Sequence, residues 1–295
     1  MKYYEVTDSS SLLCGECPVW DWRENVLYYT DTSAGILFRY DPAKKERRKI
    51  CERENISGVG LNKNGGFLCA SGQGVFSWKE EEGWRLIAAE HEGKALHCND
   101  AVADPNGRFL FGTTFISFAG EFDRGYLYAM EKGGTLRVLD EGWGLPNGMA
   151  FSPDGRILYA VDSYERAVYA LDYDPETGKA SNKRKIVDIP WNEGMPDGIT
   201  VDAEGCLWLA QFFGYTVVRY SPEGEVLLKL PVPCGQVSSV MFGGEYLTDI
   251  YVTTSSVPAR MPLAPKGFDF DAPLSGNTYC YNIGIQGVRE YIADI

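Results

Sequence analysis

Positive charge is scarce in this 295-residue chain: 28 Lys and Arg stand against 41 Asp and Glu, a formal net charge of −13. A surface with that balance repels nucleic acid and anionic membranes, so neither is expected as a partner. Long apolar runs are missing, none approaching the ~20 residues of a membrane span, and Met1-Lys2-Tyr3-Tyr4-Glu5 lacks the basic-then-apolar pattern of a signal peptide. A soluble, cytoplasmic protein is expected. No Gly-rich loop opens a helix, which argues against a nucleotide site. Cys14 and Cys17 form a C-x-x-C without the second pair of a structural zinc site or the βαβ context of a redox motif, so most of the eight cysteines read as reduced core residues. Of the two histidines, His91 falls in the charged stretch Glu90-His91-Glu92-Gly93-Lys94 and reads as solvent-exposed.

What is present is β-forming material. Hydrophobic residues make up 44%, aromatics 13%, and 33 Gly and 15 Pro punctuate short runs, which suits an all-β fold in one domain over 1–295. Turns are signalled at Asp21–Asn25, Asn62–Gly65, Asp104–Gly107, Ser152–Gly155 and Asp202–Gly205, each followed by a short apolar strand such as Phe109-Leu110-Phe111 or Leu207-Trp208-Leu209. Counting back five residues from each turn, and from Gly243 in a weaker sixth unit, gives Glu16, Ser57, Asn99, Asn147, Asp197 and Ser238, spaced 41 to 50 residues apart. That period is one four-stranded antiparallel blade, and six units predict a six-bladed β-propeller. Tyr3-Tyr4-Glu5-Val6 is expected to pair beside the last strands, near Thr278–Tyr281 and Val288–Tyr291, so that both chain ends close one blade.

Residues at one phase of the innermost strands converge on a propeller axis. The ring Glu, Ser, Asn, Asn, Asp, Ser offers two carboxylates and two amides, all oxygen donors, without thiolate or imidazole; such a set suits a hard divalent cation, which would also cancel the repulsion between the two acids. Ser57 and Ser238 lack a G-x-S-x-G elbow and a matching histidine, leaving a serine-hydrolase reading without its base.

Gly15-Glu16-Cys17-Pro18-Val19-Trp20, Asn99-Asp100 with Asp104–Arg108, Leu145–Ala150, Pro196-Asp197-Gly198, Thr216–Tyr220 and Phe242-Gly243-Gly244, in this order, resemble the SMP-30/gluconolactonase/regucalcin family of six-bladed propeller lactonases. The resemblance implies one divalent metal on Glu16, Asn147 and Asp197, with Ca2+ first and Zn2+, Mn2+ or Mg2+ as alternatives, and Asn99 touching substrate or metal-bound water. It further implies a small, sugar-derived lactone opened to its hydroxy acid, the metal polarising the carbonyl and Asp197 or metal-bound water acting as base. His97 stands where the family often has an arginine, Glu121 in the apolar connection 115–122 falls where it often has a substrate-contacting acid, and Phe213 replaces an aromatic often near the pocket; all three are candidate substrate residues. Two other readings stand beside this one: a non-catalytic calcium-binding regulatory propeller, and a related calcium-dependent esterase or phosphoesterase.

Overall fold

One side chain builds the turn after most of the innermost strands. Asp104 accepts hydrogen bonds from the backbone N–H groups of Asn106 and Arg108, Asp202 from those of Glu204 and Cys206, and Ser152 Oγ from that of Ile157. A short polar side chain that replaces a main-chain partner favours such reversals. In a computed structural model, which describes residues 3–6, 12–116, 122–257, 264–270 and 274–295, the reversals fold the chain into six four-stranded antiparallel sheets.

The first blade is Gly15–Asp21, Val26–Asp31, Ile36–Asp41 and Glu46–Glu52, and the second is Ile56–Leu61, Phe67–Ser71, Gly74–Lys79 and Gly83–Ala88. Blade three is Cys98–Ala103, Phe109–Thr113, Gly125–Met130 and Leu136–Trp143; blade four is Pro146–Phe151, Ile157–Asp162, Ala167–Asp174 and Lys179–Asp188; blade five is Met195–Val201, Leu207–Phe212, Thr216–Tyr220 and Val226–Pro231. Blade six joins Val237–Gly243, Asp249–Thr254 and Tyr279–Asn282 to Tyr3–Glu5, with Tyr4 opposite Cys280. This is the six-bladed propeller that the turn spacing predicts, closed by its two ends.

The interfaces between blades are apolar layers of interdigitated β-branched and aromatic side chains. Val161, Val168, Leu207, Leu209 and Val218 fill the one between blades four and five, and Trp208, Val217, Val240, Ile250 and Tyr281 the next. All eight cysteines are free, and all but Cys14 are buried, as expected. Two expectations need correction. His91 is half-buried, its ring edge-on to Tyr128 at 5.3 Å, because the pair Glu90–His91 and Lys94–Ala95 folds back on blade three. Residues 288–291 form no strand.

Instead, residues 283–295 run as a strap across the turn end of the propeller. Gly287 N–H donates to Leu247 O, Ala203 N–H to Gln286 O, Ala293 N–H to Leu61 O and Asp294 N–H to Gly107 O. The Arg289 guanidinium lies 4.6 Å from the Trp22 ring, and Tyr291 packs on Phe151. The strap thus touches all six blades and covers the axis at the end away from the ring residues, which leaves the ring end as the mouth.

Asp202 is fully buried and also accepts from Trp208 Nε1 (2.9 Å) and Arg219 Nε (2.8 Å). Asp202→Ala strands these donors inside the fold, and we expect it to lower the unfolding free energy by roughly 3–5 kcal/mol in urea titrations. A loss below about 1 kcal/mol would mean that neighbouring groups or water take over its partners.

Candidate functional site

Every innermost strand carries a β-bulge at the same level. One extra residue is inserted between Glu16 and Val19, Ile56 and Gly58, Cys98 and Ala101, Pro146 and Met149, Pro196 and Ile199, and Val237 and Ser239. A bulge turns a side chain out of the alternation of its strand, and here it turns Glu16, Ser57, Asn99, Asn147, Asp197 and Ser238 toward the axis. Cys17, just after Glu16, adopts the left-handed conformation at φ 44°, which non-glycine residues take only under constraint.

Four of the six ring residues stitch one blade to the next. Ser57 Oγ donates to Cys98 O (3.0 Å), Asn99 Nδ2 to Pro146 O (2.9 Å), and Ser238 Oγ to Gly15 O. Asn147 Nδ2 reaches Ser163 Oγ (3.1 Å), which donates onward to Pro196 O (2.7 Å). Each stitch ends on the carbonyl just before the next ring residue. Glu16 and Asp197 are the exceptions, since an ionised carboxylate cannot donate.

The approaches to the three expected metal ligands are each held by a charged side chain. Asp31 accepts from the N–H groups of Leu13 (2.8 Å) and Cys14 (3.1 Å), ahead of Glu16. Asp162 accepts from those of Gly144 (2.7 Å) and Leu145 (3.0 Å), ahead of Asn147. Arg166 donates to the carbonyls of Ile189, Pro190 and Gly194, ahead of Asp197. Charge-assisted bonds of this kind fix a backbone more firmly than neutral ones. Sequence reasoning missed these three. Their signal was faint: an acid ending the second strand, as in Thr30-Asp31 and Val161-Asp162.

The electrostatics fit a cation. Burial, then the charges of Asp197 and Asp100, push the Glu16 carboxyl well above the usual carboxylate range, against the Cys17 N–H. Burial and Asp100 push Asp197 up as well, while the Asn147 amide pulls it down. Asp197 is 4% exposed, and its Oδ1 is buried without a hydrogen-bond partner among the described residues. An orphaned carboxylate oxygen beside a second acid and an amide is an all-oxygen donor set that a hard divalent ion would satisfy.

The expected substrate residues are placed unequally. Asn99 stands in the ring with its amide nitrogen engaged, so the geometry turns its carbonyl oxygen to other partners. His97 is exposed, its Nδ1 2.9 Å from Gly72 O, and it lines a cavity of about 470 Å³ with Thr113, Thr114 and Arg124. Phe213 is buried against Phe212, Phe268 and Phe270, where it anchors the 264–270 segment. Glu121 lies outside the described residues, although Phe115–Ile116 and Phe122–Asp123 on either side pair as a short ribbon.

Acids with raised pKa values favour the folded state below the unfolded value and work against it as pH climbs toward the folded value. Metal-free protein is therefore strained from about pH 4 upward, through the value of about 6 reached by Asp100. We expect the rise in Tm on adding Ca2+ to chelated protein to grow between pH 5 and pH 8. A Ca2+ shift that is flat or shrinks with pH would contradict a site built on these acids.

Residues 14–256 match the SMP-30/Gluconolactonase/LRE-like region. The chain is 34% identical over 295 residues to the pentonolactonase XacC of Haloferax volcanii, covering 100% of this chain and 99% of that protein. It is 32% identical to regucalcin of Xenopus laevis over 96% of each chain. Its structure superposes on a luciferin-regenerating enzyme with a TM-score of 0.90 at 25% identity, over 100% of this chain and 99% of the other. The propeller, the axial ring and these likenesses agree: the chain belongs to the SMP-30/gluconolactonase/LRE-like family.

Proposed function

We propose that this protein is a metal-dependent, cytoplasmic lactonase, a hydrolase of the carboxylic ester class that opens a small sugar-derived lactone to its hydroxy acid. The observation that carries the reading is the pair of ring acids, Glu16 and Asp197, that take no part in stitching the blades; the charge of Asp197 raises the Glu16 carboxyl, and Asp197 leaves a buried carboxylate oxygen without a partner among the described residues. The named activity of the Haloferax relative supports the substrate class. Eight free cysteines suit a reducing compartment.

Glu16, Asn147 and Asp197 would hold one divalent ion, with Ca2+ first in line for an all-oxygen set. When bound, the ion supplies Lewis-acid polarisation of the lactone carbonyl and cancels the paired negative charge. The remaining work falls to side chains. Asp197 takes a proton from the attacking water as its oxygen bonds to the carbonyl carbon. The ring C–O bond then breaks, and the departing ring oxygen takes up a proton to become the hydroxyl of the product. Asn99, His97 and Glu121 contact substrate hydroxyls, and Phe213 acts by holding the 264–270 segment in place.

Asp197→Asn keeps the shape and removes the base. We expect kcat/KM on aldonolactones, read by acid release with a pH indicator, to fall by roughly two to four orders of magnitude. EDTA should abolish wild-type turnover, and added Ca2+, Mn2+ or Zn2+ should restore it. Full turnover by Asp197→Asn would remove that residue from the chemistry. A Ca2+-dependent Tm with no turnover on lactones or aryl esters would favour the non-catalytic calcium-binding reading instead.

A further inference from the structure

The residue after each ring position forms a second layer, deeper in the channel: Cys17, Gly58, Asp100, Gly148, Gly198 and Ser239. Glycine recurs because the next blade approaches closely. A Cβ on Gly148 would stand 2.5 Å from Ile199 N, and one on Gly198 would collide with Ser239 Oγ. Asp100 is the only charged residue of this layer. From the other end the strap delivers Glu290 to the same place. Cys17, Asp100, Ser239 and Glu290 line one chamber with about 40 Å³ open to water-sized atoms, room for an ion and a water or two.

These groups are left without adequate partners. Ser239 is 5% exposed, and neither its hydroxyl nor the Glu290 carboxylate hydrogen-bonds to any described residue. Asp100 has only the N–H of Ala101 and the Cys17 thiol. Burial and the charge of Asp100 push Glu290 up to about 7, and burial pushes Asp100 up to about 6. The Cys17 sulfur is already engaged by the main chain, accepting from Val59 N–H (3.0 Å), so the available donors are oxygens. Two half-buried carboxylates lining one small chamber need either a shared proton or a cation between them.

We propose that the chamber is a second cation site, in which Asp100, Glu290 and the Ser239 hydroxyl take a hard divalent ion of the calcium class and tie the C-terminal strap to blade three. Water and main-chain carbonyls complete its oxygen shell. The site is separate from the mouth site and does not rest on the lactonase reading.

The test uses full-length, chelator-stripped protein dialysed against Ca2+, with bound metal counted by plasma mass spectrometry and stability followed by thermal melting. Wild type should bind about two equivalents and Glu290→Gln about one, with kcat/KM at saturating metal within about twofold. Stripped Glu290→Gln should melt above stripped wild type, since one buried charge is gone, and Ca2+ should reverse that order. Ser239→Ala, which removes only a hydroxyl, should weaken binding of the second equivalent by about tenfold. Glu16→Gln should lose turnover and one equivalent yet keep the strap-linked Ca2+ shift, so failure at the mouth is distinguishable from failure here. Equal Ca2+ content and equal Ca2+ shifts in wild type, Glu290→Gln and Ser239→Ala overturn the proposal and leave a shared proton as the bond between Asp100 and Glu290.

Discussion

The propeller depends on a stitch between neighbouring innermost strands. Each bulge breaks the ladder to the second strand at the same level, and a ring side chain from the preceding blade caps a carbonyl beside the break. Ser57, Asn99 and Ser238 do this directly, and Asn147 does it through Ser163. A donor is required, so serine and asparagine are the economical choices. At Glu16 and Asp197 this chain gives up the donor for an acceptor, removing a stitch and adding a buried charge at the same point. A propeller selected for closure alone would keep serine or asparagine there. The two acids are therefore intelligible only through something they hold.

Holding a charge at the axis needs a backbone that does not yield. Asp31, Asp162 and Arg166 provide it, each gripping the main chain a few residues ahead of one ligand. The strap performs the complementary task at the far end, where it covers the channel and confines approach to the mouth. The site thus has rigid walls, one opening and a floor made from the last residues of the chain. Asp100 sits between the mouth acids and the strap, and its charge raises Glu16, Asp197 and Glu290 together.

Much of this was legible because turn chemistry is local. An aspartate or serine that caps its own turn fixes where the preceding strand ends, and a strand of constant length then fixes which residue lies five positions earlier; that is why the ring Glu16, Ser57, Asn99, Asn147, Asp197 and Ser238 could be picked out together. The bulges were not legible. They depend on how the partner strand is registered, and the glycines and proline beside them read equally well as ordinary turn residues. Asp31 and Asp162 were lost for a similar reason, since their partners lie 17 or 18 residues away. Val288–Tyr291 misled because a β-branched and aromatic run reads as a strand, although Arg289 and Tyr291 rest on Trp22 and Phe151 and the run has no ladder of its own.

The glycines of the second layer show how one substitution changes what a channel can contain. Where Gly148 and Gly198 stand, the next blade closes in until there is no room for a Cβ. At Asp100 the same backbone position carries a carboxylate, so the side chain must enter the channel, where burial raises its pKa. Such a charge persists in a fold only if it has compensation. The main-chain N–H of Ala101 and a thiol supply part of it, and both are weak beside a full negative charge facing Glu290. The strap therefore adds to the channel a second acid that relieves nothing by itself, and the two become a stabilising contact only when a positive charge lies between them.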